Sequence, residues 1–244
     1  MLFRSLADRL RPLLFGFFHH GADLQASLPS KGMPDNAQES LAKMRSHPSF
    51  LMVGTIEPRK GHRQALDAIE LLWADGVEAN LVIVGQKGWM VDDLVERIQQ
   101  HPEHHNRLFW LQAISDEMLE EVYRSTHALL AASEGEGFGL PLIEAAKHGL
   151  PIIARDMPVF REVAGEHAYY FRGESPQALA DALRAWLSLG DAIPASASMP
   201  WLTWKQSSRQ LLDFVLGKRW CHAWPEAAAS PRSEKIDRHS EPGP

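Results

Sequence analysis

The chain has 244 residues, 45% of them hydrophobic, enough to fill the core of one large domain or of an ordinary domain with extensions. A formal charge of -6 gives no general basic surface, which argues against nucleic acid as a partner and makes any phosphate site a local one. The single Cys221 excludes an internal disulfide and a thiolate-rich metal site, and the expected compartment is the cytoplasm.

The N-terminus, MLFRSLADRLRPLLFGFF, joins Arg4, Arg9 and Arg11 to an apolar run from Leu13 to Phe18. That run is too short to span a bilayer, and Pro12 and Gly16 interrupt a continuous helix, so peripheral contact with the inner face of a membrane stands as a second reading. Residues 22–48 hold Pro, Ser, Asn and Gly without clear periodicity and read as a linker or a loosely packed approach to the first strand. From Ser49 onward strand and helix alternate. SFLMV is followed by a helix over 61–73, NLVIVG by one over 91–100, RLFWL by one over 116–125, HALLAA by one over 140–148, and PIIA by a short helix. The strands are almost continuously apolar, as strands covered on both faces are. Two further helices are expected over 176–189 and 203–216. This pattern predicts an α/β fold, a Rossmann-like parallel sheet with helices on both faces. The expected organisation is 1–47 as linker, 48–217 as the domain and 218–244 as a disordered tail.

Two loops carry the candidate chemistry. In SEGEGFGLPLIEAAKHG, Gly135, Gly137 and Gly139 let the backbone approach a ligand, and Pro141 suits the first turn of the helix that follows. Free amides and the helix dipole there favour a phosphate. Glu136 and Glu144, with seven residues between them, repel phosphate, so their natural partners are hydroxyls, such as those of a ribose and of a sugar. In GTIEPRKGH, Arg59 and Lys60 stand at a loop-to-helix junction, where two cations can face a diphosphate. Both loops follow strands at their carboxyl ends, where parallel sheets place ligands. Against these readings, each carboxylate taken singly reads as a solvated residue, and so does the Arg-Lys pair. Asp156, after the next strand, keeps a nicotinamide enzyme in view, but G-x-G-x-G differs from the dinucleotide fingerprint. His101, His104 and His105 read as a solvated loop, and no metal is predicted. Trp201 and Trp204 read as packing for a terminal helix.

EGEGFGLPLIEA resembles the E-x7-E region of the family 4 retaining glycosyltransferases, and VGTIEPRKGH resembles their first donor loop. VGQKGW, PVFREVAG and TWKQSSRQLLDFV are similar to further stretches of that family, so the resemblance runs from about residue 21 to 216. It implies the C-terminal, donor-binding half of a two-domain GT-B enzyme, with a nucleotide sugar as donor substrate and no other cofactor. Arg59 and Lys60 would neutralise the diphosphate, Glu136 would hold donor-sugar hydroxyls and Glu144 the ribose. Amides around Gly137, Phe138, Gly139 and Leu140 would hold the distal phosphate, Ile114 would support the base, and Gly54, Thr55 and Gly85 would line the cleft. Relatives commonly carry Arg where Thr55 follows Gly54, and Arg59 stands as the compensating cation. The EPRKGH and GEGFGLPLIEAA stretches resemble those of bacterial mannosyltransferases of surface polysaccharide assembly, which implies GDP-mannose as donor and a glycan or lipid-linked acceptor. Relatives carry an acceptor domain ahead of the GADL stretch, where this chain has about twenty residues, so 1–47 is expected to hold a remnant of that domain. The alternative is a non-catalytic or truncated sugar-nucleotide-binding module that works with a separate acceptor-domain polypeptide. A sugar-nucleotide epimerase is a third reading.

Overall fold

A computed structural model describes residues 13–22, 32–217 and 222–224. The basic start of the chain and most of the tail expected over 218–244 lie outside the described residues. In chain order the elements are β1 (Leu13–Phe15), α1 (Ala37–Ser46), β2 (Ser49–Val53), α2 (His62–Ala74), β3 (Asn80–Val84), α3 (Asp92–Gln100), β4 (Leu108–Leu111) and α4 (Asp116–Ser125). There follow β5 (Ala128–Ala131), α5 (Leu140–Lys147), β6 (Ile152–Arg155), α6 (Pro158–Ala164), β7 (Tyr169–Phe171), α7 (Pro176–Leu187), α8 (Trp204–Gly217) and β8 (His222–Trp224). They divide into two compact units, the larger being Ala22–Thr203.

In the larger unit β2 to β7 form a sheet in the order β4-β3-β2-β5-β6-β7, with every pair parallel. Alternate residues of each strand feed opposite cores. Phe50, Met52, Leu81, Ile83 and Leu130 pack with α2, α3 and α7. Leu51, Val82, Val84, Leu129 and Ile152 pack with α1, α4, α5 and α6. Because both faces are covered, the polar-apolar alternation of a solvated sheet is absent, which is why the strands read as unbroken apolar runs.

Four expectations are corrected. Residues 37–46 are not linker but α1, whose Ala37, Leu41 and Met44 recur at helical spacing and are buried in the second core. The parallel edge strand β7 was not foreseen, being three residues long with only Phe171 fully buried. The third concerns α8, expected within the 48–217 domain, which instead groups with residues 13–21 in the smaller unit. There β1 pairs antiparallel with β8, a strand where a disordered tail was expected. Ser207 Oγ of α8 donates to the His19 carbonyl at 2.6 Å, and the His20 and Trp204 rings meet edge to face. Among the described residues no helix is long and apolar enough to cross a membrane.

At the centre of the larger unit the loop after β2 meets the end of β5. Gly61, with φ +74°, ends a short 3-10 turn over Pro58–Lys60 and starts α2, and a Cβ on it would lie 2.3 Å from the Ala132 carbonyl oxygen. Gly61→Ala therefore suffers both the left-handed backbone penalty and a backbone collision, and is expected to destabilise the chain by about 2 kcal/mol or more in urea denaturation. An unchanged midpoint would contradict the tight junction.

Candidate functional site

Counted from its first strand, the sheet runs 3-2-1-4-5-6, and its topological switch point falls between β2 and β5. The loops leaving those two strands are the two singled out from the sequence, and the fold brings them together. Glu134 N donates to the Arg59 carbonyl at 2.7 Å, which ties one loop to the other through the backbone.

The cations converge on one carboxylate. Lys60 Nζ lies 2.7 Å from Glu136 Oε2, and Arg59 Nη1 lies 3.3 Å from the same oxygen. Arg59 also donates to the Gly135 carbonyl at 2.9 Å and pairs with Glu57 at 2.9 Å. The Lys60 and Glu136 side chains are only 16% and 13% exposed, so each charge depends on the other for its compensation. Arg59 is half exposed, with its guanidinium shared among Glu57, Glu136 and the Gly135 carbonyl. A cavity of about 30 Å³, water-sized, lies here, lined by Lys60, Glu136, Gly139, Ser133, His62 and Phe160 among others.

The remaining candidates surround this point. Lys60 passes over Gly54, whose Cβ would stand 4.0 Å from its Nζ. Gly54 N donates to Val84 O, and a Cβ on Gly85 would sit 1.9 Å from the Gly54 carbonyl, so the ends of β2 and β3 abut as only glycine permits. Thr55 and Gly137 are exposed, and Phe138 and Leu140 are half-buried. Gly139, with φ +93°, is the N-cap of α5 and seats against the Phe160 ring. Ile114 lies beyond the end of β4 and is partly buried against the second core. Glu144 does not line the cavity: it sits one turn into α5 and accepts a hydrogen bond from Tyr123 Oη of α4 at 2.7 Å. Asp156 is clamped by Arg161 and Arg172, each at 2.7 Å, which hold its carboxyl down to about 2. His101 is engaged by Glu70 at 3.0 Å and by the Glu103 amide, a structural use of the histidine-rich loop.

Two supporting residues escaped sequence reasoning. Arg155 ends β6 and is buried, donating to the carbonyls of Ala132, Ser133 and Gly173 and to Gln64 Oε1 of α2, so it braces the stem of the glycine-rich loop. Its signal was a lone charge closing an apolar strand. His62, the first residue of α2, is 2% exposed, lines the cavity, and has no hydrogen-bond partner on either ring nitrogen. Burial, reinforced by the charge on Lys60, pulls its pKa down to about 4, so the imidazole is neutral beneath the cations.

A parallel α/β sheet with a cation-bearing loop and a glycine-capped helix facing each other at its switch point is a nucleotide-binding architecture. Residues 35–197 match the family described as glycosyl transferases group 1, and the chain belongs to that family. It is 59% identical over 197 residues to the serotype-specific mannosyltransferase WbdA of Escherichia coli, an alignment covering 80% of this chain and 24% of that protein. The chain thus spans about a quarter of that relative's length. Among solved structures, the C-terminal domain of a glycosyl transferase group 1 family protein, LpcC, from Francisella tularensis is similar with a TM-score of 0.53 at 20% identity. That likeness covers 73% of this chain and 92% of that domain. Anabaena HepE, solved with UDP and glucose, is similar with a TM-score of 0.61 at 16% identity, over 76% of this chain and 53% of that one. The fold expected from the sequence, the C-terminal half of a GT-B glycosyltransferase, is the fold observed.

The state of His62 sets a pH dependence. An unfolded imidazole takes up its proton near 6.5, whereas the folded one does so only near 4. Between those values the unfolded chain binds the extra proton, so stability falls as pH falls and the loss is complete below 4. The full effect is about 3 kcal/mol, of which about 2 kcal/mol is expected between pH 7 and pH 5. His62→Gln should lack this component when urea denaturation is compared at the two pH values, and a parallel loss in both proteins would disprove it.

Proposed function

We propose that the chain forms the donor-binding half of a retaining glycosyltransferase that moves mannose from GDP-mannose to a glycan or lipid-linked acceptor. The observation that carries this is the convergence of Arg59 and Lys60 on Glu136 at the switch point, beside the N-terminus of α5. The choice of mannose is supported by the 59%-identical relative, a mannosyltransferase.

Breaking the bond between sugar and diphosphate puts negative charge on the leaving group and positive charge on the sugar ring. Lys60 and Arg59 stabilise the first, and do so in a partly desolvated place where fixed charges act strongly. In the free chain Glu136 holds those cations in place. When the donor enters, the diphosphate takes over the cations and Glu136 turns to the sugar hydroxyls near the reacting carbon. The amides of Phe138, Gly139 and Leu140 receive the distal phosphate at the α5 N-terminus. Glu144 takes the ribose hydroxyls, Ile114 supports the base, and Gly54, Thr55, Gly85 and Gly137 give the backbone room. The acceptor is bound by residues beyond this half, on a polypeptide that completes the cleft.

Calorimetric titration with GDP tests the assignment. Lys60→Ala is expected to weaken GDP binding by about 1.5 to 3 kcal/mol, the worth of a charge-assisted hydrogen bond. Glu136→Ala should leave GDP affinity unchanged or raise it, because it releases both cations. The opposite ranking, or no binding by the folded wild-type chain, would overturn the reading.

A further inference from the structure

Glu144 is held by a partner that no role described so far requires. Tyr123, on α4, is 3% exposed, and its hydroxyl donates to Glu144 Oε2 at 2.7 Å across the gap between α4 and α5. The other face of the arrangement is also fixed: the Tyr123 ring stacks on His148, just past the end of α5, with centroids 5.0 Å apart and planes inclined by 10°. Burial and the neighbouring Glu144 charge push the hydroxyl pKa well above its ordinary value, so it remains a donor throughout the working range of pH. Glu144 Oε1 makes no hydrogen bond to any described residue. A glutamate on a helix surface ordinarily samples many rotamers, and ordering it on binding costs affinity. Here the ordering is done beforehand, by a side chain that is itself immobilised.

We propose that Tyr123 is a positioning residue for nucleotide recognition: by occupying Oε2 it presents Oε1 of Glu144 to the vicinal hydroxyls of a ribose, and thereby sets the preference for ribonucleotide over deoxyribonucleotide donors. This rests on the reading of Glu144 as the ribose ligand. It differs from a packing role in one respect. A packing residue supports the whole site and acts on every ligand alike, whereas a positioning residue for Glu144 acts only on ligands that possess the hydroxyls.

The test is calorimetric titration of the whole chain with GDP and with 2′,3′-dideoxy-GDP. The wild-type chain is expected to prefer GDP by about tenfold or more, the worth of one or two hydrogen bonds to a charged acceptor. Tyr123→Phe keeps the ring and its stacking on His148, and should lose most of that preference by weakening GDP alone. Glu144→Gln should lose it too, and the double variant should lose no more than either single one, because the two residues act as one unit. Thermal midpoints of the variants show whether they fold. Equal weakening of both ligands by Tyr123→Phe, or a preference it leaves intact, overturns the proposal. A folded wild-type chain that binds both ligands equally overturns the ribose assignment of Glu144 together with this inference. Absence of binding to either ligand overturns the donor-site reading itself.

Discussion

Parallel pairing of β2 with β5 brings two carboxyl ends together that are distant in sequence, and the junction is closed by a contact that leaves no room for a side chain. Gly61 backs onto the Ala132 carbonyl, Glu134 N reaches the Arg59 carbonyl, and from the far side Arg155 grips the carbonyls of Ala132 and Ser133. The first two are main-chain constraints, and the guanidinium of Arg155 adds a buried side-chain clamp to them, so the loops are positioned from both sides. The turn over Pro58–Lys60, held at this junction, brings Arg59 and Lys60 to face Glu136.

The electrostatics of the site follow from that placement. A half-buried ammonium and carboxylate in contact are each costly to leave alone, so the free chain keeps them paired. The pair lines the water-sized cavity together with Ser133, Gly139 and Phe160. On the proposed reading, a ligand that offered its own negative charge to Lys60 would remove the need for Glu136 there and release a carboxylate for hydroxyl groups. His62 fits the same logic from below: a protonated imidazole beside Lys60 would repel it, and burial keeps the ring neutral.

Much of this was legible in the sequence because the relevant signals are local. Unbroken apolar runs ending in glycine announce doubly covered strands and the loops that leave them, and the two motif loops fall at those ends. What escaped was set by tertiary context. Ala37, Leu41 and Met44 form a helical stripe, but their flanks of Pro, Asn and Ser argued for a linker more loudly. Three-residue β7 has too few positions for any period to show. Arg155 showed only as a lone charge closing an apolar strand, and Tyr123 only as a core aromatic, neither of which names a partner. Their roles arise from Gln64 and Gly173 in one case and from Glu144 in the other, partners that only the fold supplies.

The strand order also has a consequence for how the chain acquires its structure. Ser49 at the start of β2 is separated by 78 residues from His127, whose ring it meets beside β5. β2, β3 and β4 precede β5 in the chain, so the apolar edge of β2 that β5 covers has no partner until β5 has been made. Such long-range closure is slow, and an unpaired apolar edge invites association with other chains. The junction that carries the two candidate loops therefore exists only once β5 has been made, and until then the open edge of β2 is where the nascent chain depends on protection from its neighbours.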